Sequence, residues 1–294
     1  MRFTIFTPTY NRRHTILKLY HSLQTQTFKN FEWVVVDDGS LDNTEDLFSE
    51  IKQHNNFFDI KYIKTKNGGK HRAINLGLSY ASGELFYIVD SDDYLLPDSL
   101  AIADKIERSI PDNLKIEFAG ICGIKGFDNN THIGSTFDGE YLDITSLDRP
   151  KYNIQGDKAE IFYTDILKKY PFPEFTNENF LTESIVWERI AFDGYKLRFF
   201  NEIIMICEYL SDGLTAMGHA LFINNPKGYG LLLHQNASFG KIRGIYKWTV
   251  FLQYYYQFRE RLKFKEIANN LHFNSFILWN RLFFLRLFYR FYDD

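Results

Sequence analysis

The stretch Phe31-Glu32-Trp33-Val34-Val35-Val36-Asp37-Asp38-Gly39-Ser40 decides the fold. Residues 31–36 are mostly apolar without alternation, so both faces of the strand they form must be covered, as in a parallel sheet between helices. The run ends in two carboxylates, a glycine and a serine, which turn the chain out of the strand and can also carry chemistry. Working outward, the same unit recurs on both sides. Residues 3–6 predict a first strand stopped by Pro8, and residues 14–24 carry Ile16, Leu17, Leu19, Tyr20 and Leu23 at helical spacing. Downstream, residues 43–52 predict a helix with Leu47 and Ile51 on one face, and residues 60–63 a short strand. Asn67-Gly68-Gly69 marks a turn, residues 70–80 a helix, and residues 85–89 a strand ending in Asp90. Strand and helix alternate four times, the pattern of an α/β parallel sheet with crossover helices.

Beyond Pro97 the spacing predicts a helix over 98–109, a strand over 116–124, a loop or hairpin over 126–139 and a helix over 182–192. Thr182 is its candidate N-cap and Gly194 its stop. No Pro/Gly/Ser-rich linker or internal repeat interrupts the chain. The expected organisation is a catalytic domain over 1–223 followed by a helical extension over 224–294.

The composition narrows the class. At 294 residues, 45 % apolar and 24 % charged, the chain is globular, and disorder, collagen and coiled coil are excluded. No window approaches the roughly 18 continuous apolar residues of a membrane span. The apolar stretch after Met1-Arg2 stops at Pro8, too soon for a secretory signal, so a cytoplasmic location is expected. Cys122 and Cys207 lie far apart without CxxC spacing, which points to core residues rather than a disulfide framework or zinc site. A net charge of −3 argues against nucleic acid as a partner but hides an asymmetry. From Lys241 onward ten Lys and Arg face four Asp and Glu, giving +6 there and −9 over the first 240 residues.

In an open α/β sheet, ligands bind beyond the carboxyl ends of the strands. That rule selects Thr7-Pro8-Thr9-Tyr10-Asn11-Arg12, Asp37-Asp38-Gly39-Ser40, Asn67-Gly68-Gly69-Lys70-His71-Arg72 and Asp90-Ser91-Asp92-Asp93. Together they offer an aromatic face and amide for a base, carboxylates that accept from imide or ribose groups, cations for phosphate, and an acidic triplet. A nucleoside diphosphate needs that set. The G-x-G-x-x-G pattern is missing after the first strand, which disfavours a dinucleotide cofactor. A hard cation such as Mn²⁺ or Mg²⁺ is held by one or two carboxylates plus phosphate oxygens, and Asp90 and Asp92 fit that role. The competing reading of the triplet is a solvated turn or a helix cap.

In these four ordered motifs the chain resembles family 2 inverting glycosyltransferases of the GT-A fold, over roughly its first 215 residues. The resemblance implies a Rossmann-like, mostly parallel sheet flanked by helices and a nucleotide-sugar donor, usually a UDP-sugar. It implies that Pro8, Tyr10 and Arg12 belong to the nucleoside site, with Tyr10 on or beside the base, and that Asp38 hydrogen-bonds the base. Asp90-Ser91-Asp92 stands where the family has its DXD motif, placing Asp92 on the metal and Asp90 near the ribose or metal. The segment Gly68-Gly69-Lys70-His71-Arg72-Ala73-Ile74-Asn75 resembles members that build capsular and other surface polysaccharides, where Lys70 approaches the nucleotide. The implied acceptor is a saccharide or a lipid-linked saccharide.

Inverting transfer is one displacement, in which a carboxylate opposite the leaving group takes the acceptor hydroxyl's proton. The family commonly places Glu-Asp at a helix start, with the Asp as base. Here Thr182-Glu183-Ser184 stands there, and Ser184 occupies the aspartate position. A serine needs its own activator to act as a base. Glu183 is therefore the first candidate and Glu178 the second, with a first-turn helix glutamate as the alternative reading of Glu183. The departure at Ser184 also leaves open a catalytically idle nucleotide-sugar-binding scaffold, and the α/β sheet with metal carboxylates a sugar nucleotidyltransferase.

Remaining features are secondary. Asp212-Gly213-Leu214-Thr215 reads as a loop over the site or a glycine turn, and His71, His219 and His234 lack metal-ligand spacing. Trp187 could stack on a sugar or pack in the core. Residues 241–294 mix aromatics with cations, and 282–291 are apolar around most of a helix. Such a segment must be buried against the catalytic domain, another subunit or the surface of an anionic membrane, which Arg286 and Arg290, one turn apart, would suit.

Overall fold

The computed structural model describes residues 1–54, 56–208 and 213–290, without the side chains of 214, 215 and 286–290. The chain forms two compact units: Met1–Phe172 with Val186–Gly213, and Pro173–Ile185 with Leu214–Asp294. The second unit thus starts at Leu214 rather than 224 and takes in an upstream segment.

The strands are β1 (Phe3–Thr9), β2 (Phe31–Asp37), β3 (Asp59–Lys64), β4 (Leu85–Ile88), β5 (Tyr94–Leu95), β6 (Phe118–Gly126), β7 (Tyr141–Ile144), β8 (Lys158–Tyr163) and β9 (Lys196–Ile206). They form one sheet in the order β3-β2-β1-β4-β8-β6-β9-β5, with β7 also paired to β9. β3, β2, β1 and β4 are mutually parallel. Past β4 the sheet is mixed: β8 runs antiparallel to both neighbours, while β9 is parallel to β6. Helices α1 (Arg13–Gln24), α2 (Thr44–Ile51) and α3 (Lys70–Tyr80) are the crossovers of the parallel half, followed by α4 (Ser99–Arg108), α5 (Thr164–Leu167) and α6 (Ser184–Phe192).

All seven residues of β2 are buried. Trp33 packs against Tyr20 and Phe48, and its indole N–H donates to Thr7 Oγ1 at 3.0 Å. Glu32 survives in this strand because it is fully engaged: it accepts from Thr4 Oγ1 at 2.6 Å, the Ser82 amide at 2.7 Å and Lys61 Nζ at 2.7 Å. Burial pushes its carboxyl up, but these donors outweigh burial and hold it below the usual range.

Pro8 does not stop β1, which continues to Thr9 in register with β2. Along a parallel strand, alternate residues bond to opposite neighbours. Phe6 accepts from Val89 on the β4 side, where the ladder ends at the Phe6–Ile88 pair. The missing N–H of Pro8 falls on that same side, past the last rung, where no partner is needed. The close seat of α3 on β1 depends on Gly77, since a Cβ there would lie 2.1 Å from Phe6 Cε2.

The second unit contains α7 (Leu214–Met217), α8 (Ala220–Asn224), α9 (Pro226–Ser238), α10 (Gly244–Phe258), α11 (Phe264–Asn270) and α12 (Ser275–Arg290). Its core joins Leu233, Phe251, Tyr254, Phe258, Ile267, Leu271, Leu278, Leu282 and Leu285. Protein packing therefore takes one face of the aromatic tail.

Candidate active site

The four selected loops follow adjacent parallel strands and so share one edge of the first unit. Each is fastened to the next. Asp38 donates its amide to Thr9 O at 2.8 Å, the Asn11 amide donates to Ser40 Oγ at 2.8 Å, and Asn11 Oδ1 accepts from the Leu41 amide at 2.8 Å. Asn11 adopts φ +53°, a left-handed conformation that asparagine tolerates better than most residues. The loop after β2 is joined to the loop after β3 through Asp38, whose two oxygens accept the Gly68 and Gly69 amides, each at 2.7 Å. That loop meets the one after β4 through Lys70 Nζ, 2.7 Å from the Asp90 carboxylate. Arg12 closes the circle electrostatically, favouring the charged form of Asp92.

Neighbouring carboxylates take different parts. Asp37 is structural: Oδ1 accepts the Ser40 amide at 2.7 Å and Oδ2 accepts the Tyr62 hydroxyl. Asp38 is buried, and burial pushes its carboxyl up despite the two glycine amides. Each of its oxygens keeps a lone pair beyond the amide it already accepts. Burial also pushes Asp90 up, yet Lys70 and Lys125 together hold it below the usual carboxylate range. Asp92 is raised by burial and then by the Asp90 charge. Asp93 is raised to about 7 by burial and by Asp90, with Cys207 Sγ 3.3 Å from its Oδ2.

Tyr10 is 45 % exposed beside this circle, whereas Pro8 and Ser91 are buried. Pro8, Tyr10, Arg12, Asp38, Lys70, Asp90, Ser91 and Asp92 thus stand on connected loops. Glu183 belongs to the second unit, half-buried just before α6, where Thr182 O accepts the Ile185 amide at 3.3 Å. Glu178 is a helix cap: its oxygens accept the Lys227 and Gly228 amides of α9 at 2.8 and 2.9 Å. Asn225 Oδ1 reciprocates by accepting the Asn179 and Phe180 amides at 2.9 and 3.1 Å. That engagement gives Glu178 a structural role as the cap of α9, which favours Glu183 as the candidate base.

Lys125, in β6, was not singled out by the sequence. Burial lowers its pKa, but the fields of Cys207, Asp93 and Asp90 outweigh burial and raise it. The only signal was a lysine ending an apolar strand, Ile121-Cys122-Gly123-Ile124-Lys125. Trp187 packs against Phe162 and Phe172, with ring centroids 4.4 and 5.7 Å away. Asp212 lies outside the described residues.

Among the described residues no three His, Cys, Asp or Glu side chains form a metal-holding cluster. The donor set fits a different kind of site, with one or two hard carboxylates and a shell completed by phosphate oxygens. The Asp90 charge that raises Asp92 is a repulsion which a cation would relieve.

A mixed sheet with the four connected loops at the carboxyl edge of its parallel half is the arrangement of the GT-A fold. Residues 4–121 match the model of glycosyl transferase family 2. It is 36 % identical over 126 residues to the poly(ribitol-phosphate) beta-N-acetylglucosaminyltransferase TarS of Staphylococcus aureus, a match covering 42 % of this chain and 22 % of that protein. It is 26 % identical over 194 residues to the GalNAc(5)-diNAcBac-PP-undecaprenol beta-1,3-glucosyltransferase of Campylobacter jejuni, covering 63 % and 58 % of the two. The matches thus span about a fifth and just over half of those relatives. Among solved structures, residues 1–349 of S. aureus TarS in complex with UDP-GlcNAc share the fold at TM-score 0.62 and 20 % identity, covering 91 % of this chain and 75 % of that one. The mannosyltransferase PcManGT of Pyrobaculum calidifontis, in complex with GDP-Man and Mn²⁺, gives TM-score 0.53 at 20 % identity, covering 79 % and 63 %.

Proposed function

We propose that the protein is a metal-dependent inverting glycosyltransferase that moves a sugar from a UDP-sugar to a saccharide or lipid-linked saccharide in surface-polysaccharide synthesis. The observation that carries this reading is the closed circle Thr9/Asn11–Asp38/Ser40–Gly68/Gly69–Lys70–Asp90/Asp92–Arg12, which brings together from four loops the groups this reading assigns to base, phosphate and cation. The relatives support it. One is named for transfer of N-acetylglucosamine to a ribitol-phosphate polymer, another for transfer of glucose to an undecaprenol-linked saccharide.

In this reading Tyr10 flanks the base and Asp38 accepts from it through its remaining lone pairs. Pro8 and Ser91 shape the loops around the nucleoside. Lys70 and Arg12 face the diphosphate, and Lys125 adds positive charge behind Asp90. Asp92, with Asp90, would hold Mn²⁺ or Mg²⁺, which when bound neutralises charge on the departing diphosphate. Glu183 accepts the acceptor hydroxyl's proton. A lipid-linked acceptor would bring the enzyme to the inner face of the membrane.

The test is UDP release from a panel of UDP-sugars with Mn²⁺. The expected result is turnover that Asp92→Ala abolishes. UDP binding without turnover of any donor would favour an idle scaffold, and pyrophosphate release from UTP and a sugar phosphate would favour a nucleotidyltransferase.

A further inference from the structure

We propose that the outward face of α12 docks in the plane of an anionic lipid bilayer. α12 buries Leu278, Leu282 and Leu285 in the core of the second unit, at four- and three-residue spacing. A surface helix ordinarily turns polar residues outward. This one turns out Phe276, 74 % exposed, Trp279, 52 %, and Phe284, 66 %, with Ile277 and Phe283 also exposed. The Trp279 and Phe283 rings stack at 5.1 Å. A contiguous aromatic face of this kind marks an interaction surface.

Charge selects the occupant. The helix Ser-Phe-Ile-Leu-Trp-Asn-Arg-Leu-Phe-Phe-Leu-Arg-Leu-Phe-Tyr-Arg carries three arginines and no acid. It lies within the segment from Lys241 onward, where ten cationic residues face four acidic ones although the whole chain is at −3. Interfacial tryptophan, phenylalanine inserted among acyl chains, and long cationic side chains reaching phosphates are what a membrane-surface helix requires. A second copy of the chain suits the face less well. Its five outward side chains offer on the order of 500 Å² of apolar area, below the ~800 Å² per partner of a standard interface. Self-pairing would also bring like arginines together. No helix among the described residues is long and apolar enough to cross a membrane, so the contact lies along the surface. The inference goes beyond the transfer reading, and either stands if the other falls.

The test is co-sedimentation of the full chain with vesicles of phosphatidylglycerol and phosphatidylcholine, against pure phosphatidylcholine, with UDP release measured on the same preparations. The expected result is binding to the anionic vesicles, weakened by high salt. Trp279→Ser with Phe283→Ser should lower the partition coefficient by at least about tenfold at unchanged melting temperature and UDP release, because binding scales with inserted apolar area. Arg281→Glu, which leaves the aromatic face intact, should weaken binding to anionic vesicles alone. Equal binding by wild type and the double variant overturns the proposal, as does equal binding to neutral vesicles. A dimer seen by analytical ultracentrifugation without lipid and abolished by the double variant overturns it in favour of a second copy.

Discussion

Glu178→Gln separates the two glutamates near the start of α6 by their physics. In the wild type both Glu178 oxygens are occupied, one by the Lys227 amide at 2.8 Å and the other by the Gly228 amide at 2.9 Å, at the N-terminus of α9. Glutamine keeps one acceptor and turns an NH₂ toward the other amide. A buried backbone donor left unpaired costs about 1–3 kcal/mol. Losing negative charge at a helix N-terminus adds roughly 0.3–1 kcal/mol. Relief of carboxylate desolvation offsets part of this, so the net destabilisation is about 2 kcal/mol. Urea unfolding followed by tryptophan fluorescence should show the lowered midpoint. UDP release, assayed well below the transition, should stay within about threefold of wild type, because no proton transfer is lost. Glu183→Gln should behave in the opposite way, with a midpoint lowered by no more than the roughly 0.3–1 kcal/mol of a charge at a helix N-terminus and turnover reduced by roughly 10²–10⁴. An unchanged midpoint with a hundredfold loss of turnover in Glu178→Gln, alongside near-normal turnover in Glu183→Gln, would refute the assignment of cap and base.

Asp38→Asn sets an NH₂ against the Gly68 or Gly69 amide and should cost about 2 kcal/mol in urea unfolding. It should also weaken UDP binding by about tenfold in calorimetry, and wild-type UDP affinity would exclude Asp38 from the nucleoside site. Gly77→Ala drives a methyl into the Phe6 ring, 2.1 Å from Cε2, and should lower the melting point by about 1–3 kcal/mol of destabilisation or prevent folding. A wild-type melting point would contradict the close seat of α3. Burial, then His272 and Lys247, hold the His234 pKa below its ordinary 6.5, although the Leu271 carbonyl partly opposes them. The unfolded chain therefore binds that proton more readily, and the associated stability is complete above pH 6.5 and lost as pH falls through the depressed value. His234→Gln should flatten the decline in melting temperature on acidification, and an unaltered slope would assign the decline to other groups.

The parallel half of the sheet was legible because β1, β2 and β4 are buried while β3 is a short, half-exposed edge strand, and each crossover helix follows its strand within a few residues. Lys70–Tyr80 matches its predicted bounds, and α1 and α2 differ from theirs by a residue or so at their ends. β5, β7, β8 and β9 went unread for local reasons. β9 reads as two apolar runs split by Asn201-Glu202, and the register against β6 slips from Cys122–Phe199 to Ile124–Ile203. The strand accommodates the irregularity, and Asn201 Nδ2 donates to Phe137 O at 2.8 Å. β8 opens on Lys158, a poor strand signal. In the fold that lysine is buried and donates to Ser135 O at 3.0 Å, a partner supplied by a distant loop. Pro8 misled in the same way, since whether a proline ends a strand depends on which neighbour its missing N–H would have faced.

The candidate site shows where residue type stops informing and position begins. Asp37 and Asp38 are chemically alike and adjacent, yet one closes its own turn while the other holds the next loop. Asp90, Asp92 and Asp93 diverge further. With Lys70 and Lys125 both acting on Asp90, that carboxylate remains charged, and its charge then raises Asp92 and Asp93. Neutralising all three with protein cations would leave the cluster indifferent to a metal. Compensating Asp90 most fully leaves Asp92, partly exposed and raised by burial and by its neighbour despite Arg12, as the group that would gain most from a divalent ion arriving with a diphosphate. Lys70→Met should therefore do more than remove a phosphate contact. It releases Asp90 to compete for the same ion, so Mn²⁺ affinity without nucleotide should rise while UDP affinity falls. Titration calorimetry showing both affinities falling together would mean that Lys70 holds the acidic turn in place rather than dividing its charge.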